Sequence, residues 1–224
     1  MISVAFTYMK NPIKLREEKP TAIIIENKFT YRNILSSFIN NNEEEYFTFA
    51  QDFNPFEFYK KGCFILDPIN LDLDNKKANT KSNEFLANNI NDIYQEDLSQ
   101  INSEMLSLAD KLMIDSSFEI SYDNYELDAA SLIKLLGFHL SFDNQSAVDR
   151  LISYILILSK FLKYDIFVIS NLYIYFTLEE IKMIYETLKL NHIIILVLEQ
   201  SHPNLVSKYE NVYILDNDLC VIDK

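Results

Sequence analysis

The sequence predicts an α/β protein in which a mainly helical leg domain interrupts a discontinuous head domain. Near both ends of the chain, short continuous apolar runs are typical of strands buried on both faces. Between these ends lies a polar region followed by a narrow apolar stripe at helical spacing. The last third alternates strand, helix and strand patterns. These observations place the head in residues 1–69 and 141–224, and the leg in residues 70–140.

The N-terminal part is rich in predicted strands. Thr21 to Glu26 carries three consecutive isoleucines after Pro20, a strong signal for a buried strand. A helix is predicted over residues 29–39. The other strand predictions cover residues 2–8, 13–15, 47–49 and 63–66.

The leg begins with residues 72–82, which contain almost no apolar side chain and predict a loop. A long helix follows, either as a protruding arm or as a surface helix of a single domain. Residues 118–122 alternate and predict a short strand, and residues 128–138 predict a helix capped by Asp128. The helical stripe is spaced by three or four residues, except after Ile93, and comprises Leu86, Ile90, Ile93, Ile101, Met105, Leu108 and Leu112.

The C-terminal part has the clearest pattern. Residues 165–170 and 193–198 predict buried strands, and residues 177–190 predict a helix with Thr177 as N-cap and carboxylates in its first turn. Residues 212–215 and 219–222 predict a terminal pair of strands. The preceding helix, residues 146–163, is too short in its apolar part to cross a bilayer, so we expect no membrane contact.

Composition limits the possible functions. The formal charge of −13 argues against a nucleic-acid surface over the whole chain, although a local basic patch on an acidic protein can still bind phosphates. The two cysteines show no metal-binding spacing and suit a reducing cytoplasm. Met1 to Lys10 does not have the pattern of a signal peptide.

The head is a degenerate P-loop-like domain by sequence. The strand of residues 21–26 runs into Asn27-Lys28-Phe29-Thr30, where a phosphate-binding loop would need glycines. Asn171 follows the strand of residues 165–170, where an aspartate would organise a metal. We therefore expect no nucleotide hydrolysis and no enzymatic activity.

Several segments resemble the short form of the Csn-two family, the type II-A CRISPR-associated adaptation proteins that form a ring on DNA ends. The final third is similar throughout, and the residues between 45 and 115 are the least similar. The similar segments are residues 11–15 and 21–26, Leu132-Ile133-Lys134-Leu135-Leu136-Gly137, and residues 165–199. The resemblance implies a head and a helical leg, and a calcium-stabilised homotetramer that holds double-stranded DNA ends in a central hole. It also implies two partners in spacer acquisition, the CRISPR integrase pair and the RNA-guided effector nuclease.

An acidic stretch between a predicted strand and a predicted helix is the candidate calcium site. Calcium binds six to eight oxygen atoms, which a flexible acidic loop can supply, but the spacing of an EF-hand is absent. The alternative is a solvated loop and a helix cap. The candidate ligands are Glu119, Asp123, Glu126 and Asp128, with Asn124 between them.

The candidate DNA contacts are basic residues, because the resemblance implies phosphate contacts without base readout. Lys28 and Arg32 share one helix face, and Lys76 and Lys77 lie in a predicted loop. Solvated surface residues are the alternative for each. The full set is Lys28, Arg32, Lys60, Lys61, Lys76, Lys77 and Lys134.

Two rival functions remain open from the sequence. The first is a protein–protein scaffold of the same fold that does not bind DNA. The second is an ATPase or metal nuclease whose carboxylates lie at strand ends, with Glu26, Asp67 and Glu199 as candidates.

Overall fold

Buried apolar strands form the centre of the larger sheet in this computed structural model, which describes residues 2–72, 75–123, 125–143, 145–201 and 208–223. The strands are β3 (Thr21–Ile25), β6 (Gly62–Ile65), β7 (Ile166–Ser170), β8 (Ile194–Glu199), β9 (Asn211–Leu215) and β10 (Val221–Asp223). Their order is β10-β9-β3-β8-β7-β6. All are parallel except β10, which pairs antiparallel with β9. β3, β7 and β8 are buried along their whole length, as expected for parallel strands covered on both faces.

The smaller sheet is antiparallel and comes from the N-terminal part of the chain. It contains β1 (Ile2–Phe6), β2 (Ile13–Lys14), β4 (Phe47–Gln51) and β5 (Asn54–Pro55), in the order β2-β1-β4-β5. Ile2, Val4 and Phe6 point into the same core as β3 and β8. The Phe6 and Phe47 rings stack with centroids 4.6 Å apart, which joins β1 to β4 within this core.

Five helices belong to the same unit as the two sheets. They are α1 (Lys28–Ile39), α2 (Phe58–Lys61), α6 (Ala147–Leu162), α7 (Leu172–Tyr175) and α8 (Leu178–Leu190). The predicted cap of α8 is present, because Thr177 and Glu180 form a reciprocal capping box. α2 ends at Lys61 and is followed by Gly62. A Cβ atom at Gly62 would lie 2.6 Å from the Phe58 ring, so this close approach excludes a larger residue.

Three helices form the second unit, and the leg prediction needs three corrections here. α3 (Lys76–Ile93) includes most of the predicted loop, because Asn75 accepts a hydrogen bond from Ala78 N and caps a polar first turn. The predicted long helix is interrupted at Tyr94, and α4 (Gln95–Asp115) follows. The break coincides with the jump in apolar spacing after Ile93. Residues 118–122 form no strand.

The second unit has a small core of its own. α5 (Ala129–Leu136) packs its Ile133 with Ala87 of α3 and Leu98 of α4. The Asn102 side chain of α4 donates to the Leu127 carbonyl at 3.0 Å and accepts from the Leu127 amide at 2.8 Å. This pair of bonds fixes α4 to the segment before α5.

The chain therefore divides into two compact units, Met1–Leu73 with Phe142–Lys224, and Asp74–Ser141. Within the residues that the structure describes, no helix is long and apolar enough to cross a membrane.

Candidate nucleic-acid interface

The connection from β3 to α1 occupies the position at which a P-loop protein would bind phosphate. It consists of Glu26 and Asn27 alone, because α1 already begins at Lys28. The Asn27 Oδ1 atom accepts hydrogen bonds from the amides of Phe29 at 3.1 Å and Thr30 at 3.0 Å. Two amides in the first turn of α1 thus already donate to a side chain of the protein. A two-residue connection without glycine has no room for a phosphate cradle.

Polar side chains at the carboxyl end of β7 join neighbouring elements. Ser170 donates to the Leu66 carbonyl at 2.8 Å, and the Asn171 amide group donates to the same oxygen at 3.0 Å. The Tyr31 hydroxyl of α1 lies within donating distance of Asn171 Oδ1, at 3.2 Å, and of the Leu198 carbonyl, at 3.1 Å. Asn171 is therefore a structural link between β6, β7 and α1.

Glu199, the last residue of β8, is a buried carboxylate that lies near another, Glu210. It is 2% exposed, and the backbone amide of Tyr173 donates to its Oε1 at 3.1 Å. Burial above all, together with the nearby Glu210, raises the pKa of the Glu199 carboxyl to about 8, against the lowering effect of hydrogen bonds from the Tyr173 and Leu172 amides.

Glu210 is the second buried carboxylate, and two tyrosines donate to it. The Tyr173 hydroxyl lies 2.6 Å and the Tyr185 hydroxyl 2.8 Å from Glu210 Oε2. Tyr173 thus bridges the two carboxylates, with its backbone amide on Glu199 and its hydroxyl on Glu210. Burial raises the pKa of both tyrosines.

The three carboxylates proposed for an enzyme lie in different surroundings. Glu26 is exposed, Asp67 accepts from the Ile69 amide at 3.1 Å, and Glu199 is buried. Among the described residues, no three histidine, cysteine, aspartate or glutamate side chains converge on a point that could hold a metal ion.

The predicted DNA contacts of the head are all exposed. Lys28 and Arg32 lie on the same face of α1, and the Arg32 guanidinium lies 5.3 Å from the centroid of the Phe29 ring. Lys60 and Lys61 form the last turn of α2, where Lys60 pairs with Glu57 at 2.8 Å. Because Glu57 partly compensates the charge of Lys60, the positive charges of Lys28 and Arg32 on α1 are less compensated than that of Lys60.

The predicted DNA contacts of the leg unit are exposed as well. Lys76 and Lys77 lie in the first turn of α3, not in a loop, and that turn contains no acidic residue. Lys134 lies in the last turn of α5 and lines a cavity of about 650 Å³ with residues of α3, among them Asn83 and Glu84. The first turn of α3 therefore carries two cations where a helix dipole would favour carboxylates.

The predicted calcium ligands are not brought together. Glu119, Asp123, Glu126 and Asp128 are exposed, and Asn124 lies outside the described residues. The Asp128 Oδ1 atom accepts from the Ser131 amide at 2.6 Å, which caps α5 and lowers the pKa of the Asp128 carboxyl. With one of the four engaged as a cap and no group of three ligands within the described residues, this segment does not fit a preformed calcium site in one subunit.

Sequence reasoning missed the exposed Phe29 and the cluster of Tyr173, Tyr185 and Glu210. An N-cap signal was available for Asn27, because asparagine precedes a helical pattern. No sequence signal connects Glu210 with the two tyrosines, since they are 25 and 37 residues away.

The chain is similar to solved structures at low sequence identity. Stu0660 of Streptococcus thermophilus is 15% identical, with 99% of this chain and 75% of that chain covered and a TM-score of 0.50. A nucleotide-free ATP-binding cassette from an ABC transporter is 13% identical, with 99% and 89% covered and a TM-score of 0.48. The similarity to Stu0660 agrees with the predicted α/β class.

Sequence comparison identifies the family. No curated protein matches the chain significantly. The family model described as CRISPR-associated protein (Cas_Csn2) matches residues 39–219, which is most of the chain. The resemblance predicted from the sequence is thereby confirmed, and the chain belongs to the Cas_Csn2 family of CRISPR-associated proteins.

Proposed function

We propose that this protein binds the ends of double-stranded DNA without sequence preference and without catalysis, in support of CRISPR spacer acquisition in the cytoplasm. The observation that carries the proposal is the start of α1. There the Asn27 side chain accepts hydrogen bonds from two amides that a P-loop protein would direct at phosphate, while Lys28 and Arg32 stay exposed. A family member whose P-loop-like head has no cradle for a nucleotide, but presents cations, is suited to bind a phosphate backbone instead.

Phosphate contacts suit a protein with few basic residues if several subunits contribute. The chain has 20 lysines and arginines against 33 acidic residues. A closed tetramer would repeat a small patch four times around one duplex. We propose such a homotetramer, with Lys28, Arg32, Lys76 and Lys77 as the leading contacts, and Lys60, Lys61 and Lys134 as further contacts.

Calcium is proposed as the stabiliser of the tetramer. Because the described part of the acidic segment around Asp123 groups no three carboxylates within a subunit, these carboxylates would have to complete their coordination on assembly. The CRISPR integrase pair and the RNA-guided effector nuclease are proposed as partners, on the ground of family membership.

A mobility shift on linear duplex DNA tests this function. At low salt and with calcium, the purified protein is expected to shift a linear duplex of any sequence, and the logarithm of the affinity should fall linearly with the logarithm of the salt concentration. If linear duplex is not shifted under these conditions, the protein does not bind DNA ends. The scaffold alternative, in which the acidic surface avoids DNA, would then be favoured.

A double variant, Lys28→Gln with Arg32→Gln, tests the part of α1 in DNA binding. Both side chains are exposed and lie outside the core, so folding should be unaffected. The variant should bind more weakly to all duplex sequences alike, since phosphate contacts carry no sequence information. Unchanged binding would remove α1 from the interface.

A further inference from the structure

The exposed Phe29 ring distinguishes the start of α1 from the other basic patches. Phe29 is 65% exposed, while α1 buries Tyr31, Ile34 and Phe38 on its opposite face. A single exposed apolar residue is ordinary in itself. Phe29, however, follows Lys28 directly and carries the Arg32 guanidinium 5.3 Å from its ring centroid.

This cation–π contact differs from the others among the described residues. Lysines approach the rings of Phe56, Phe161 and Tyr209, and these three rings are buried or half-buried. Among the described residues in such contacts, Phe29 is the aromatic residue in the exposed class, and its cation is an arginine. The arrangement presents an exposed aromatic ring with the Arg32 guanidinium over it and with Lys28 next to it in the chain.

Two backbone amides at the start of α1 are already engaged. The amides of Phe29 and Thr30 donate to Asn27 Oδ1, so these two are not available to a ligand. The nearby Glu26 carboxylate accepts from the Asn217 side chain at 3.4 Å. Asp216 and Asp218 flank Asn217, whose carbonyl also accepts from the Asn27 side chain, so Lys28 and Arg32 are two exposed cations beside an acidic turn.

We propose that Phe29 is a stacking platform for an unpaired or terminal base at a DNA end, with Lys28 and Arg32 holding the adjacent phosphates. This inference rests on the proposed function and adds a means of recognising an end. Phosphates are alike along a duplex, so lysine contacts cannot distinguish an end from the interior. An end differs because its last base exposes a π-face, on which an aromatic ring can stack whatever the sequence.

Fluorescence of 2-aminopurine tests the proposal. The base analogue is placed either in a short single-stranded extension at the end of a duplex or at an internal paired position. Wild-type protein should quench the terminal probe strongly and leave the internal probe nearly unchanged. Phe29→Tyr should keep the quenching, because tyrosine retains an aromatic ring. Phe29→Leu should lose it, although leucine keeps most of the apolar area.

The same variants are compared in affinity. Phe29→Leu should lose roughly 10-fold in its preference for a duplex with unpaired terminal bases over a hairpin-capped duplex of equal length, as expected for the loss of one stacked base. Ile39→Ala is the matched control, since Ile39 is an exposed apolar residue, 55% accessible, at the other end of the same helix. It should behave as wild type.

Each result separates this inference from the proposed function. If wild-type protein binds duplex DNA but quenches both probes equally, or if Phe29→Leu quenches as wild type does, the stacking platform is wrong and DNA binding stands. If wild-type protein binds no duplex, both are wrong.

Discussion

Glu199 and Glu210 are the residues at which local sequence and tertiary environment disagree most. A carboxylate buried away from water must be hydrogen-bonded or must keep its proton. Glu210 receives two tyrosine hydroxyls, whereas Glu199 receives backbone amides and has its pKa raised to about 8. The Glu199 carboxyl therefore holds a proton in the folded protein at pH values where it would be ionised in the unfolded chain.

The raised pKa of Glu199 predicts a decrease in stability with rising pH. Between the unfolded value of 4.5 and the folded value of about 8, the folded state binds a proton that the unfolded state lacks. This contribution is fully present below pH 4.5 and is lost as the pH rises through 8. It amounts to at most about 1.4 kcal/mol per pH unit. Glu199→Gln should flatten this dependence, which thermal melts at pH 5, 6, 7 and 8 would measure.

Glu26→Gln is the control for that experiment. Glu26 is an exposed carboxylate at the end of β3, and its replacement should leave the pH dependence as in wild type. If Glu199→Gln also follows the wild-type curve, the Glu199 proton does not contribute to stability in this range.

Among the elements, the first turns of the helices differ in charge, and this difference separates the helices proposed to contact DNA from the others. α8 begins with Glu179 and Glu180, and α4 with Glu96 and Asp97, as the helix dipole favours. α1 and α3 begin with lysines and with no acidic residue in the first turn. In these two helices an asparagine caps the amides, and the cations remain exposed to solvent.

The cap of α1 should be measurable in the free energy of unfolding. Asn27→Ala removes an acceptor for two amides and a donor to the Asn217 carbonyl, so it should cost about 1 kcal/mol. Asn42→Ala is the matched control, because Asn42 also precedes a helical turn but its side chain makes no capping bond. Urea unfolding of both variants checks the prediction. Equal losses would mean that the Asn27 cap adds little.

The start of α3 predicts opposite effects on binding and on stability. Changing Lys76 and Lys77 together to Gln should weaken DNA binding and lower the salt slope by about one per lost phosphate contact. Because both cations oppose the helix dipole, the same change should leave stability unchanged or slightly higher. Salt-dependent binding and urea unfolding measure the two effects.

Lys81→Gln provides the control within the same helix. Lys81 pairs with Glu84 at 2.6 Å, so its charge is already partly compensated. It should affect DNA binding less than the double change. A Lys81 effect as large as the double change would indicate a general charge effect and not a contact of the first turn.

For the whole molecule, an assembly that concentrates the few cations would reconcile the acidic charge with the proposed DNA binding. Light scattering of the native protein with calcium, and then with chelator, tests this. A tetramer in calcium that dissociates on chelation would support both the ring and the assembly-dependent acidic segment. A monomer in both conditions would contradict the ring.

Local rules predicted much of the fold because they act over a few residues. Three isoleucines after Pro20 indicated β3, and Thr177 with Glu180 indicated the start of α8. The loop prediction was wrong for residues 76–82, because polar composition outweighed the N-cap signal of Asn75, while residues 73–74 lie outside the described residues. The strand prediction for residues 118–122 was wrong because alternation forms a strand only beside a partner strand.

The sequence by itself determined the buried parallel strands, the helix caps and the loss of the glycine-rich phosphate loop, since each depends on neighbouring residues. Only the tertiary structure decided which polar residues meet. It brought Glu199, Tyr173, Tyr185 and Glu210 together, left the four predicted calcium ligands exposed, and exposed Phe29 beneath the Arg32 guanidinium. Contacts between distant residues follow from how helices cover the sheet, and no local pattern along the chain encodes that packing.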